Sequence, residues 1–257
     1  MKTKNTILLV ILLTFTFSLS TAFAQNDVIY FMKDGLIVNQ QSIKEADVDT
    51  IIFYNPDSFF EDARDGNIYQ TVTIGSQVWM AENLKYLPSV ADPLTGSVTV
   101  STSYVYGYSG TDVEAAKATA NYITYGVLYN WKAATTACPS GWHLPNDAEW
   151  SELTDNLGDI PSRGGKLKEK GTTHWDTPNT GATNESGFTA LPGGMRLINK
   201  PVIPGQTMLL KTQGTWWSAT QENTSTAHGT NLRNNESKII KDNYSKEFGF
   251  SVRCIKD

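Results

Sequence analysis

Hydrophobic and polar positions divide the chain into three stretches with different patterns. The first is an apolar run over residues 7–19, which follows two lysines and precedes a small-x-small triplet at residues 22–24. This arrangement is typical of a cleaved export signal, and the run is too short for a membrane span, which needs about 20 apolar residues. We therefore expect a signal peptide over residues 1–24. The mature protein would be extracytoplasmic (secreted, periplasmic or at the cell surface), with no membrane insertion after cleavage.

The second stretch, residues 25–60, alternates in the manner of a short N-terminal β unit. Two apolar runs, residues 29–32 and 36–38, flank Lys33-Asp34-Gly35, and this pattern predicts a hairpin. Residues 50–54 (TIIFY), which are β-branched or aromatic, predict a third strand at the end of the octapeptide 47–54 (DVDTIIFY). The octapeptide resembles a short prefix found ahead of surface domains in exported proteins of Bacteroidetes-type bacteria. We expect this unit to be a packing or tethering element, and we propose no catalytic or binding residue in it.

The third stretch, residues 61–257, mixes strand and helix patterns. Residues 68–74 alternate as a strand, and a helical stripe runs from Tyr125 and must end before Pro139. A second helix is predicted after Pro145, where Asn146 is a capping residue with a glutamate three positions on. Short aromatic strands follow to the C terminus. This stretch is predicted to be one domain.

Seven blocks of this stretch occur in an order that resembles the Fibrobacter succinogenes major paralogous domain. The blocks are residues 75–84 (GSQVWMAENL), 125–131 (YGVLYNW), 138–145 (CPSGWHLP), 147–150 (DAEW), 187–194 (GFTALPGG), 216–220 (WWSAT) and 249–254 (GFSVRC). The resemblance implies an α+β fold similar to C-type lectin-like domains and formylglycine-generating enzymes, with two main helices on a small twisted antiparallel sheet. Family members often carry an extra cysteine pair in the region corresponding to residues 104–121, and this chain has none there.

The chain has two cysteines, Cys138 and Cys254, 116 positions apart. In an exported protein an even pair is most simply a disulfide. Reactive thiols or metal ligands are the alternative. No CxxC spacing and no neighbouring cluster of histidine or lysine favours that alternative.

Charge and composition narrow the possible partners. Removing the leader with its two lysines leaves 19 basic and 26 acidic residues, a net charge of −7. Nucleic acid and anionic membranes are bound through clustered Lys and Arg, so neither is expected as a partner. Aromatic residues make up 11% of the chain, enough for a substantial core and for binding sugar or peptide.

Candidate catalytic chemistry is sparse. None of the three histidines forms a pair at helical spacing, and no Gly-x-Ser-x-Gly motif occurs. Glu82, Asp147 and Glu149 are the acids considered for glycoside cleavage, but capping and turn formation explain them better. We expect no enzymatic activity, no catalytic residue, no cofactor and no metal. The enzyme alternative is a formylglycine-generating type or a cell-wall glycosidase.

The polar stretch over residues 221–247 lies between aromatic strands and predicts an exposed hairpin surface. The candidate ligand-binding residues share the ability to stack or to hydrogen-bond: Trp217, Glu222, His228, Asn231, Arg233, Asn243 and Tyr244. Trp217 alternates with Trp216, so we expect it to point away from the core and to form an exposed platform, with Trp175 as a second candidate. The predicted function is an exported binding or adhesion module of a bacterial envelope for carbohydrate or surface protein. A structural envelope protein is a further alternative.

Calcium is not expected to stabilise the protein. Calcium-dependent sugar binding in C-type lectins uses Glu-Pro-Asn or Gln-Pro-Asp and then Trp-Asn-Asp, whereas here Pro178-Asn179 follows a threonine and Trp217 precedes Ser218. A ligand at 100 times its dissociation constant adds about 2.7 kcal/mol to stability. Thermal unfolding with millimolar calcium and then with chelator tests this expectation. A clear rise in melting temperature that the chelator reverses would contradict it.

Overall fold

The computed structural model describes residues 27–33, 36–43, 59–198 and 206–257. The chain forms two compact units, Met1–Tyr54 and Asn55–Asp257. In the first unit β1 (Asp27–Lys33) pairs antiparallel with β2 (Leu36–Ile43), which confirms the predicted hairpin. The predicted signal peptide and the predicted third strand of this unit lie outside the described residues.

The second unit is mostly β. Its strands are β3 (Phe59–Glu61), β4 (Ile68–Ile74), β5 (Gln77–Met80), β6 (Ser103–Tyr104), β7 (Leu128–Tyr129), β8 (Trp142–His143), β9 (Met195–Arg196), β10 (Thr207–Met208), β11 (Gln213–Gln221), β12 (Thr226–Arg233), β13 (Ile240–Ser245) and β14 (Ile255–Lys256). Within the described residues these twelve strands form four antiparallel sheets. The largest has the order β3-β4-β5-β14-β8, the next β11-β12-β13, and two pairs are β6-β7 and β9-β10.

The helices of this unit are short. Those in the described part are α1 (Val113–Lys117), α2 (Ala120–Tyr125), α3 (Trp131–Ala137), α4 (Asp147–Asp155) and α5 (Arg163–Leu167), with a 3₁₀ turn at Ile160–Ser162. The longest has nine residues. The prediction of an α+β, C-type lectin-like domain with two main helices is therefore wrong, because strands dominate and the helices are brief connections between them.

The predicted helix from Tyr125 towards Pro139 is interrupted by two local features. Gly126 follows α2 with φ of +74°, and a Cβ there would lie 2.7 Å from the carbonyl oxygen of Leu84. Backbone this close to a neighbouring segment accommodates only glycine. Asn130 then accepts a hydrogen bond from Ala133 N at 2.9 Å and starts α3 as a new helix. The apolar stripe is real, but it is shared between α2, β7 and α3.

The C-terminal segment, residues 249–255, connects the sheets of the second unit. It forms bridges with Arg196, Tyr129 and Trp216 in turn before Ile255 joins β5 and β8. The segment therefore contacts strands that are far apart in sequence, and its burial defines the middle of the core.

The disulfide between Cys138 and Cys254 is present, with 5.9 Å between the Cα atoms, and confirms the predicted pairing. It links the residue after α3 to the C-terminal segment. In a simple chain-entropy model, closing a loop of this length lowers the free energy of the folded state relative to the unfolded chain by about 4 to 5 kcal/mol.

Arg253, in the same segment, is fully buried. Its Nη1 and Nη2 donate to the carbonyl oxygens of Phe188 and Thr189, the latter at 2.7 Å, and Nε donates to Asn83 Oδ1 at 3.1 Å. The guanidinium carbon lies 4.2 Å from the Phe188 ring centroid. Burial lowers the pKa of Arg253 to about 9. Main-chain and amide oxygens thus hold the cation, and the cation in turn supplies the hydrogen-bond donors that these buried oxygens need.

Replacing Arg253 by Met should lower the free energy of unfolding by about 3 kcal/mol. The variant leaves two buried carbonyl oxygens without their donors, at about 1 to 3 kcal/mol each. Chemical denaturation measures the loss, and Arg233→Met, which removes an exposed arginine, is the matched control, expected within about 0.5 kcal/mol of the original protein. Equal stability of the two variants would show that the Arg253 contacts contribute little.

Candidate functional site

The tryptophans of β11 face two different cores. Trp216 and Trp217 are both 0% exposed. The Trp217 ring centroid lies 4.4 Å from that of Phe250, and its Nε1 donates to the carbonyl oxygen of Tyr129 at 2.7 Å. The expectation of an exposed platform at Trp217 is therefore wrong, because β11 is covered on both faces. Trp175 is also 0% exposed, so the second candidate fails for the same reason.

Three of the other predicted ligand-binding residues lie on the same face of the sheet as Trp217. Asn231 is buried and its Nδ2 donates to the hydroxyl of Tyr244 at 2.7 Å. Arg233, at the end of β12, is exposed and pairs with Glu236 at 3.4 Å. Alternation along the strands places Asn243 on the opposite face, where it is exposed. The structure thus joins Asn231 to Tyr244 and leaves Arg233 and Asn243 apart from that pair.

Glu222 and His228 are brought together at the β11–β12 turn. His228 lies between two carboxylates: its Nδ1 contacts Asp147 Oδ2, and its Nε2 lies 3.2 Å from Glu222 Oε2. The hydrogen bond to Asp147 raises the pKa of His228, partial burial of the ring opposes it, and the bond to Glu222 adds to it. The pair sits at the first turn of α4 and so links the predicted hairpin surface to that helix.

One face of α4 carries a row of polar pairs, which we call the three-pair ladder. Positions 147, 151 and 155 are four apart and therefore lie on one helix face. The pairs are Asp147 with His228, Ser151 with Lys241 at 2.8 Å, and Asp155 with Arg163 at 2.8 Å. Burial lowers the pKa of Lys241, and the charges of Asp147 and Asp155 oppose that shift. Lys241 therefore lies opposite the middle position of the ladder, where the charges of both aspartates act on it.

Local sequence fixes the start of α4. The side chain of Asn146 accepts hydrogen bonds from Ala148 N and Glu149 N, and Glu149 Oε2 accepts one from Asn146 N at 2.8 Å. This is the predicted capping box. The other oxygen of Glu149 lies 2.7 Å from Nε2 of His143, whose Nδ1 contacts Asp257 at 2.6 Å. The first turn of α4 is thus held from both sides, and this positions the ladder.

A cleft of about 380 Å³ lies along the second half of the ladder. Its walls come from α4, the 3₁₀ turn, the start of α5 and β13. The lining residues are Ser151, Thr154, Asp155, Ile160, Arg163, Ile239 and Lys241. Ile160 is 70% exposed at this site. The cleft therefore combines charged donors and acceptors with an aliphatic surface.

Four ladder residues, Ser151, Asp155, Arg163 and Lys241, are absent from the sequence-based candidates. The spacing of the polar residues on α4 was readable in the sequence, because that helix was correctly predicted. Their partners come from α5 and β13, and no local pattern predicts that these elements meet α4.

The acids considered for glycoside cleavage have other partners. Glu82 accepts a hydrogen bond from Gln70 N at 3.1 Å and pairs with Lys85 at 3.4 Å. Glu149 belongs to the capping box, and Asp147 to the ladder. Nothing in the described contacts directs these carboxylates towards a common substrate position.

In the part of the chain that the structure describes, no group of three or more His, Cys, Asp or Glu side chains is arranged to hold a metal ion. The same residues include no helix that is long and apolar enough to cross a membrane.

Comparison with known proteins identifies one family. A family model described as the Fibrobacter succinogenes major domain matches residues 72–256, which confirms the resemblance of the sequence blocks. No curated protein and no solved structure matches the chain.

The Asp147–His228–Glu222 bridge should make stability depend on pH. Because the folded-state pKa of His228 is raised above its ordinary value of 6.5, the bridge adds stability below that pH, and this stability is lost as the pH rises through the raised pKa. The stability difference between the protein and His228→Gln should therefore be largest below about pH 6.5 and shrink as the pH rises through the raised pKa of His228. Denaturation at several pH values, with an NMR titration of the ring, tests this. A constant difference, or a ring pKa at or below 6.5, would contradict it.

Proposed function

This chain belongs to the Fibrobacter succinogenes major domain family, and from that premise we propose that it is an exported, non-enzymatic binding or adhesion module of a bacterial envelope. Its ligand would be a carbohydrate or a surface protein. The observation that carries the proposal is the cleft beside the three-pair ladder, where polar groups from α4, α5 and β13 converge on an accessible surface.

The rigidity of the surroundings supports a binding role. The capping box and the His143 contacts anchor the first turn of α4, and Trp150 and Leu153 bury the opposite side of the helix in the core. Binding to a preorganised surface avoids the entropy cost of ordering loops. The ladder residues can therefore meet a ligand with little rearrangement of the main chain.

The partners of the cysteine and carboxylate side chains support a non-catalytic role. Cys138 and Cys254 are bonded to each other, so the thiols that a formylglycine-generating enzyme would use are engaged. A glycosidase needs two facing carboxyl groups, and Glu149 and Glu82 are held by separate local contacts.

Export is supported by the leader pattern and by the disulfide, since disulfides persist in oxidising compartments. The net charge of −7 expected after cleavage argues against nucleic acid as the ligand. Carbohydrate and surface protein are the classes that fit an acidic exported chain with a polar cleft.

A glycan and surface-protein array probed with the purified protein, with and without calcium, tests the proposal. We expect retention of a ligand from one of the two classes without a calcium requirement. Mass spectrometry of the eluted ligand should show it chemically unchanged. A converted ligand would contradict the non-enzymatic role, and an array without any bound ligand would favour a structural envelope role instead.

A further inference from the structure

We infer that the cleft beside α4 binds a short, electrically neutral oligosaccharide that lies along the three-pair ladder. The inference rests on the proposed function, and it narrows the ligand from carbohydrate or protein to one class at one site. Four features carry it: the length of the ladder, its donors and acceptors, its charge balance and its aliphatic end.

The length of the ladder suits an extended ligand. Asp147 and Asp155 are eight residues apart on one helix face, which corresponds to about 12 Å along the helix axis. The cleft covers the part from Ser151 onward, and His228 continues the row beyond it. A row of this length offers successive polar contacts to the linked sugar rings of an oligosaccharide. A compact polar ligand would contact only one of the three pairs.

The ladder offers donors and acceptors side by side. Lys241 has three ammonium hydrogens, and Ser151 takes one of them. Arg163 donates Nε to the carbonyl oxygen of Gly158 and Nη1 to Asp155, whose side chain is 70% exposed. A hydroxyl group both donates and accepts, so it can bind a cation and a carboxylate of one pair at the same time. A saccharide presents such groups repeatedly.

The charge balance favours a neutral ligand over an acidic one. Asp155 and Arg163 compensate each other, and His228 is compensated by Asp147 and Glu222. Lys241, the remaining cation of the row, donates to the hydroxyl of Ser151, and the negative charges of Asp147 and Asp155 act on it. A ligand carboxylate would be repelled by the aspartates of the row, in a protein whose net charge is already negative. Hydroxyl groups can bind without breaking any pair.

The aliphatic end of the cleft completes the match. Ile160 is 70% exposed, and Ile239 lines the same space from the chain that leads into β13. Sugar rings present C–H groups on their faces, and burying those groups against aliphatic side chains is favourable. The combination of polar pairs and isoleucines thus fits the two kinds of surface on a saccharide ring.

An NMR titration of the isotope-labelled protein tests the inference. The probes are four neutral oligosaccharides (cellotriose, xylotriose, mannotriose and tri-N-acetylchitotriose) and trigalacturonate as the charged counterpart. We expect at least one neutral probe to shift the main-chain amide signals of residues 151–163 and 239–241, and trigalacturonate to leave them unchanged. If no neutral probe shifts these signals, or if only trigalacturonate does, the inference is wrong.

Two substitutions separate the ladder from a general surface effect. Lys241→Met and Asp155→Asn keep the size of the side chain and remove its charge, so each should raise the dissociation constant of the bound neutral probe about tenfold, as expected for losing a hydrogen bond to a charged group. Lys132→Met, which removes an exposed lysine on α3, is the control and should leave the constant unchanged. Unchanged thermal unfolding of all three variants establishes that the fold is intact. Equal affinities in the ladder variants and the control would overturn the inference.

Failure of the inference and failure of the proposed function give different results. If a ligand found on the array shifts amide signals outside the cleft, the proposed binding function stands and the cleft is ruled out as its site. An array with no ligand of either class removes the proposed function itself.

Discussion

The second unit is built around a buried cation whose charge is stabilised by hydrogen bonds to carbonyl oxygens. Arg253 sits among Phe188, Thr189 and Asn83, and Asn83 also accepts a hydrogen bond from Trp216 Nε1 at 2.9 Å. An isolated buried charge is costly, so the guanidinium needs these oxygens as hydrogen-bond acceptors in the folded core. Thr189 adopts φ of +51°, which is unfavourable for a β-branched residue. This geometry presents two successive carbonyl groups to one guanidinium, and the hydrogen bonds that they accept offset both the strain and the cost of burying the charge.

Two other buried basic residues repeat the arrangement. Arg196 donates to the carbonyl oxygens of Pro93, Thr95 and Glu247. Lys168 donates to those of Thr180, Arg233 and Glu236, and burial lowers its pKa to about 8. Each cation binds carbonyl oxygens from segments that are far apart in sequence. A fold with short helices and long connections thereby acquires fixed loops, and α5, which ends one residue before Lys168, is held beside the cleft for the same reason.

Sequence patterns predicted the parts of this structure that are decided locally. The N-terminal hairpin, strand β4 and the capping box of α4 follow from turns, alternation and spacing within a few residues. The family was recognisable because its blocks keep their order. The fold class was wrong because lectin-like helices were inferred from that resemblance, whereas Gly126 divides the apolar stripe of one expected helix. The burial of Trp217 and the basic partners of the ladder depend on packing between distant segments, which periodicity within one segment does not specify.

Anchoring loops through their main-chain oxygens has a consequence for how the surface can change. Every residue type carries a carbonyl group, so the cation contacts at Pro93, Thr95, Thr180, Arg233 and Glu236 do not require particular side chains at those positions. The side chains are free to vary while the loop path is preserved. Substitutions in these loops could therefore change the chemistry of the surface, while the buried arginines and lysine preserve the path of the main chain.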